Sequence, residues 1–176
     1  MRETGIIMSG NHPRDIIELR KTMTRRTWGL EKINKNPDDW MKVAVFQDGL
    51  ARFCKHDGSQ DLTIKCPYGG YGMKLWIRET FWEESGDLYY KSDWGNEKPV
   101  NMVFDSGKWK PSIFMPRWAS RIERIIILLR IERLRDISEV DAKAEGGYTV
   151  MEFIETFLRL NHLPNDANPW LWCIGW

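Results

Sequence analysis

Arg20-Lys21-Thr22-Met23-Thr24-Arg25-Arg26 places four cations and two hydroxyls within seven residues. Upstream, Asn11 or His12 can cap a short helix that Pro13 opens, with Ile16, Ile17 and Leu19 as its apolar face. Downstream, residues 23–28 read as a strand. The heptapeptide therefore concentrates anion-binding chemistry at one helix-to-strand corner. Lys21, flanked by Arg20, Arg25 and Arg26, sits in a positive field that favours its neutral form, which makes it a candidate base near neutral pH. Thr24 is a candidate nucleophile three residues on. Side chains three apart on an extended strand point to opposite faces, so the two meet only if Lys21 still belongs to the turn. The alternative reading is a solvated basic strand whose threonines merely suit β structure.

Outward from this corner the chain is mostly strands. Asp48-Gly49 is a strong two-residue turn between alternating segments, so residues 41–55 read as a hairpin. Residues 62–65, 75–82, 88–91 and 102–104 are further strands, and the polar stretch 92–99 is an inserted loop. Residues 122–134 fit a helix by spacing, but the run Ile125-Ile126-Ile127 favours a buried strand. Ser138 with Asp141 starts a short helix that Gly146-Gly147 ends, leaving Glu145 in its final turn. Thr149 with Glu152 starts a second helix, whose Val150, Phe153, Ile154, Phe157 and Leu158 form an apolar stripe. The closing strand alternates, with Trp170, Trp172, Ile174 and Trp176 on one face.

A chain of 176 residues can bury a sizeable core, and residues 1–176 read as a single domain. Its formal charge of +1 excludes a strongly basic coat, so any nucleic-acid contact must be local. Two clusters offer one: residues 14–26, and the run Arg117, Arg121, Arg124, Arg130, Arg133 and Arg135. Ten tryptophans exceed what a core of this size needs; Trp76, Trp82, Trp118, Trp170 and Trp172 fall in or beside predicted strands, where rings beside arginines suit base stacking or barrel packing. Three cysteines give no disulfide framework. No signal peptide or membrane-spanning apolar run is present, and a cytoplasmic protein is expected. Cys54, His56 and Cys66 offer three zinc ligands with His12 or His162 as a fourth, but their spacing matches no strong zinc pattern, so no metal site is assigned, and without a nucleotide-binding glycine loop no cofactor is expected.

The corner motif resembles the signature of the ASCH domain family, small β-barrels related to the RNA-binding PUA domains. That pattern is a glycine, a lysine two residues on and an arginine five further; Lys21 and Arg26 match, and Leu19 stands at the glycine position. Four further segments resemble the larger ASCH-like proteins common in bacteriophages and prophages. They are Cys66-Pro67-Tyr68-Gly69 followed by Leu75-Trp76-Ile77-Arg78-Glu79-Thr80, then Met115-Pro116-Arg117-Trp118-Ala119-Ser120-Arg121, the helix from Asp136-Ile137-Ser138-Glu139 to Glu145-Gly146, and Asn168-Pro169-Trp170-Leu171-Trp172. Lys74 replaces the usual acidic residue before Leu75-Trp76, and residues 147–168 diverge. The resemblance implies an α+β fold, a PUA-like mixed β-barrel with short flanking helices.

It also implies roles. Small ASCH members that hydrolyse the amide of N4-acetylcytidine use a Lys-x-x-Thr motif and a glutamate on the helix after the central strands; by motif these are Lys21, Thr24 and Glu145. Lys21 would act as base and Thr24 as nucleophile, Glu145 would orient or receive a proton, and Arg26 would steady the developing oxyanion. Trp76, Arg78, Trp118 and Arg121 are expected near a pocket for RNA or a modified nucleoside. A non-catalytic RNA or modified-base binding module is the alternative, and a metal-dependent ribonuclease a third reading.

Overall fold

The computed structural model describes residues 3–84, 86–94 and 109–176. The fold is α+β: eleven short strands with five short helices among the described residues. The strands are β1 (Glu3–Ile7), β2 (Met23–Arg26), β3 (Trp40–Val45), β4 (Leu50–Lys55), β5 (Asp61–Lys65), β6 (Lys74–Arg78), β7 (Phe81–Glu84), β8 (Asp87–Tyr90), β9 (Glu123–Ile125), β10 (Leu128–Arg133) and β11 (Trp170–Gly175). The helices are α1 (His12–Ile17), α2 (Glu31–Asn34), α3 (Lys91–Trp94), α4 (Glu139–Ala144) and α5 (Val150–Leu160). No helix among the described residues is long and apolar enough to cross a membrane.

Four ladders form, in the orders β1-β6-β9, β10-β11-β2, β3-β4-β5 and β7-β8. Among the described residues they do not close into the barrel that the resemblance implies; they are separate open sheets, three of them around a shared core and β7-β8 packed on Met115 and Ala119. β1 runs parallel to β6, and the other pairings are antiparallel. The stretch expected as one strand over residues 122–134 bends at Ile126 and Ile127, where Ile126 N–H donates to Met73 and Ile127 N–H to Gly175. That bend hands the chain from the β6 ladder to the β11 ladder and lets the main core form between three sheets. Ile6, Leu30, Ile33, Phe53, Leu75, Ile77, Ile126, Ile131, Trp172 and Ile174 are all buried there.

Other expectations are corrected in detail. The strand expected at 75–82 breaks at Glu79-Thr80 into β6 and β7. The first strand ends at Arg26, because Thr27 and Trp28 turn toward Gly29, which takes φ +87°. Ser92 to Trp94 belong to α3 rather than to a loop; the rest of the expected loop and the strand at 102–104 lie outside the described residues. Asn11 stands at the start of α1 but makes no side-chain cap, and of the expected apolar face only Ile16 is buried, while Ile17 and Leu19 are exposed. The Asp48-Gly49 hairpin forms as β3-β4, and both helix starts are capped, Ser138 accepting from Asp141 N–H and Thr149 with Glu152 forming a full capping box.

β11 organises the candidate site because both its faces are covered. Trp170, Trp172 and Ile174 enter the main core, whereas Leu171 joins a second cluster with Ala142, Phe153, Ile154, Phe157 and Leu158 under α4 and α5. β2 pairs with β11 in the register Arg26↔Trp172, Arg25↔Cys173 and Thr24↔Ile174. Paired residues share a face, so Thr24 and Arg26 point with the main core and Arg25 points toward α4 and α5. β2 is the last strand of its sheet, and its outer edge opens onto a cleft.

Candidate functional site

The helix-to-strand corner is built by a Schellman motif. The Arg20 N–H donates to the Asp15 carbonyl at 2.8 Å and the Leu19 N–H to Ile16 at 3.3 Å, the paired bonds that end a helix through a left-handed residue. Leu19 is that residue, at φ +60°. Leu19 thus holds a backbone conformation that glycine adopts more readily. Lys21 N–H also reaches Asp15, at 3.0 Å. Lys21 then forms an antiparallel bridge with Glu145, and Thr22 N–H donates to Ala144 at 2.9 Å, so the end of α4 is stitched to the residues preceding β2.

This backbone contact fixes a buried ion pair. Lys21 Nζ lies 2.7 Å from Glu145 Oε2 and 2.7 Å from the Glu145 carbonyl, with the two residues 1% and 2% exposed. Glu145 Oε1 accepts from Arg25 Nη1 at 3.2 Å. Arg25 also donates to Asp141 at 2.6 Å and Glu132 at 3.1 Å, and Arg130 shares Asp141 at 2.6 Å. Lys21, Arg25 and Arg130 are therefore matched by Glu145, Asp141 and Glu132. Asp141 is partly buried, which opposes its ionisation, but the guanidinium groups of Arg25 and Arg130 outweigh this and hold its carboxyl below the usual range.

The positive field expected around Lys21 is largely absent. Arg20 points outward to Asp15 and Glu18, and Arg25 is neutralised by three carboxylates. Lys21 nonetheless has a lowered pKa. Burial is the main cause, Glu145 opposes it, and Arg26 adds a smaller push in the same direction as burial.

Lys21, Thr24, Arg26 and Glu145 line one cleft of about 410 Å³, within the range of small-ligand sites. Thr24 is 3% exposed, and its hydroxyl makes no hydrogen bond to another described residue. Arg26 differs from Arg25: its Nη2 donates to the Ile7 carbonyl at 2.6 Å, its Nε has no partner, and no carboxylate pairs with it among the described residues. With the other charges balanced, Arg26 leaves one excess positive charge on the wall. Tyr68 and Trp28 meet edge-to-face at 5.6 Å and give the cleft an aromatic mouth, where Trp28 remains 57% exposed, and Phe153 and Phe157 of α5 line the cleft as well.

Trp76, Arg78, Trp118 and Arg121 do not line this cleft. Trp76 lies under Arg78 and Arg117 at 5.4 and 5.8 Å, Trp118 is exposed on a short turn, and Arg121 is held by Glu79 and Asp93. The arginine run is engaged with the protein itself: Arg117 with Glu3, Arg130 with Asp141, Arg133 with Asp38, and Arg124 with the Ile16 carbonyl. Trp170 and Trp172 are core residues. Cys66 is buried, which pushes its thiol up to about 11, and Cys54, His56 and Cys66 form no metal-holding group among the described residues.

His12, Arg25 and Trp28 line the cleft although the sequence reading places none of them in this site: it offers His12 as a helix cap or zinc ligand and Arg25 only as a flanking cation. Alternation along β2 places Arg25 opposite Thr24, and a helix start two residues from a glycine gives His12 no distinguishing signal. No protein-family model, curated protein or solved structure matches this chain.

Proposed function

We propose that the cleft is a nucleobase pocket of ASCH type, set in a PUA-like arrangement of its sheets, and that it hydrolyses the amide of an N4-acylated cytidine in the cytoplasm. The observation that carries this reading is that Lys21, Thr24 and Glu145 all line one cleft, although the lysine and the glutamate stand 124 positions apart in the chain. Lys21 spends two of its bonding directions on Glu145, and burial weakens its hold on a proton. Thr24 offers a hydroxyl not committed elsewhere. In the proposed reaction the Thr24 oxygen attacks the acyl carbon as Lys21 takes its proton, and Arg26 stabilises the oxyanion. Collapse breaks the C–N bond, with the proton returned to the departing nitrogen. Water then cleaves the acyl-threonine ester, releasing the carboxylic acid and restoring the Thr24 hydroxyl. The aromatic mouth formed by Trp28 and Tyr68 suits a planar ring.

A second reading, recognition of RNA or a modified base without chemistry, is favoured by one observation. The Glu145 carboxylate at 2.7 Å favours the ammonium form of Lys21 and works against its use as a base. Acetate release from N4-acetylcytidine, measured with a chelator present for wild type and Thr24→Val, separates the readings. Turnover by the wild type that vanishes in the variant supports the hydrolase; binding of the nucleoside without turnover supports recognition alone. Cleavage of RNA that the chelator abolishes would point to a metal-dependent nuclease instead.

A further inference from the structure

The reaction as proposed gives no role to His12, a titratable residue of the cleft. His12 opens α1 and stands half-buried on the cleft wall with Lys21, Thr24, Arg26 and Glu145. Its backbone N–H donates to Ser9 at 3.2 Å, and its ring nitrogens have no hydrogen-bond partner among the described residues. The charged groups acting on it are Lys21 and Arg26, both cations, and Asp15, which is paired with Arg20. Burial, followed by the two cations, outweighs Asp15 and brings the imidazole down to about 4, so the ring is uncharged at neutral pH.

An uncharged imidazole has one donor and one acceptor nitrogen. The charged side chains that line the cleft itself offer a substrate no carboxylate oxygen that is not already engaged. Lys21, Arg25 and Arg26 only donate, and the two carboxylate oxygens of Glu145 are taken by Lys21 and Arg25. A secondary amide has both needs at once, a carbonyl that accepts and an N–H that donates. With its carbonyl turned to the Arg26 guanidinium, the amide requires an acceptor for its hydrogen.

Resting on the amidohydrolase reading, we propose that His12 is the specificity residue of the cleft: its unprotonated ring nitrogen accepts the N–H of the scissile amide. The site then selects acyl amides that keep this hydrogen over esters and over fully substituted amides, because those leave the imidazole acceptor buried against the ligand without a donor.

The test compares acetate release from N4-acetylcytidine with release from its N4-methyl derivative, for wild type, His12→Phe and His12→Gln. The wild type should favour the N–H substrate by roughly tenfold or more in kcat/KM. In His12→Phe, which keeps a flat ring without an acceptor, kcat/KM for the N–H substrate should fall toward that for the methylated one. His12→Gln, with a carbonyl oxygen, should recover part of the preference. Preference undiminished in His12→Phe would overturn the proposal, since shape alone would then be selecting. The 15N resonances of the His12 ring, recorded on adding each compound, give a readout independent of turnover: a shift with the N–H compound alone supports the proposal. Turnover without that shift overturns the role of His12 alone, whereas neither turnover nor shift overturns it together with the amidohydrolase reading.

Discussion

Replacing Leu19 by glycine should stabilise the protein. Leu19 occupies φ +60° as the left-handed residue that ends α1, a conformation costing a residue with a Cβ roughly 1–2 kcal/mol relative to glycine. Glycine gives back about 0.5–1 kcal/mol through its greater freedom in the unfolded chain. The leucine side chain is 71% exposed, so its removal forfeits little apolar burial. The balance is a gain of about 0.5–1 kcal/mol, which for a chain of this length raises Tm by about 1–4 °C. Thermal unfolding of Leu19→Gly beside Leu19→Ala measures it. Alanine keeps the Cβ and should leave Tm almost unchanged, which separates backbone conformation from side-chain loss. A Tm that falls in Leu19→Gly, or rises equally in Leu19→Ala, would refute the argument.

Three further outcomes follow from the cleft. Thr24→Val removes a hydroxyl that bonds nothing among the described residues, so stability should stay within about 0.5 kcal/mol of wild type by urea unfolding while amide hydrolysis is lost; retained turnover would exclude Thr24 as nucleophile. Lys21→Met leaves the buried Glu145 carboxylate with Arg25 alone and should cost about 3–5 kcal/mol, whereas adding Glu145→Leu should return a large part of it; strict additivity of the two single changes would show the pair to be uncoupled. His12 binds a proton near pH 6.5 when unfolded and only near pH 4 when folded, so the folded state binds fewer protons between these values. Stability should therefore be complete above about pH 6.5 and decline by up to about 3 kcal/mol as pH falls to 4. His12→Phe should flatten that limb of the urea-midpoint profile, and an unchanged slope would assign the acid sensitivity to the carboxylates.

What the sequence disclosed depended on how local the signal was. The Asp48-Gly49 turn, the Ser138 cap and the Thr149–Glu152 capping box are decided by residues within four positions of one another, and each forms. β1 was illegible because five residues with a central glycine carry little strand signal. Gly5 is there for the close passage of Trp76, whose ring a Cβ would meet at 2.6 Å. The charge of the corner was misjudged for a similar reason. Along the sequence Arg20, Arg25 and Arg26 all flank Lys21, but the Schellman turn sends Arg20 to solvent and the strand sends Arg25 under α5, beside the Phe153 ring at 5.8 Å. Only Arg26 still acts on Lys21 as a cation. The meeting of Lys21 with Glu145 left no periodic trace, and only the resemblance linked them.

The buried pair bears on function through its energetics. Enclosing Lys21 and Glu145 removes two charges from water, and an apolar pair of similar volume could fill the same space with little loss or even a gain in stability. Their ordering is not left to chance: the Lys21–Glu145 backbone bridge and the Thr22 bond to Ala144 fix the two backbones against each other, and Arg25 donates to the Glu145 carboxylate. A fold that needed only to hold α4 against β2 would obtain that from the backbone bonds and from Leu171 packing with Phe157 and Leu158. The additional structure is a lysine whose proton affinity is reduced, in the same cleft as a threonine hydroxyl and a guanidinium that the protein does not pair with carboxylate. Perturbed titration, an unused hydroxyl and unpaired positive charge are each common alone. Their coincidence in one cleft is what favours a ligand with an electron-rich carbonyl over a purely architectural cluster.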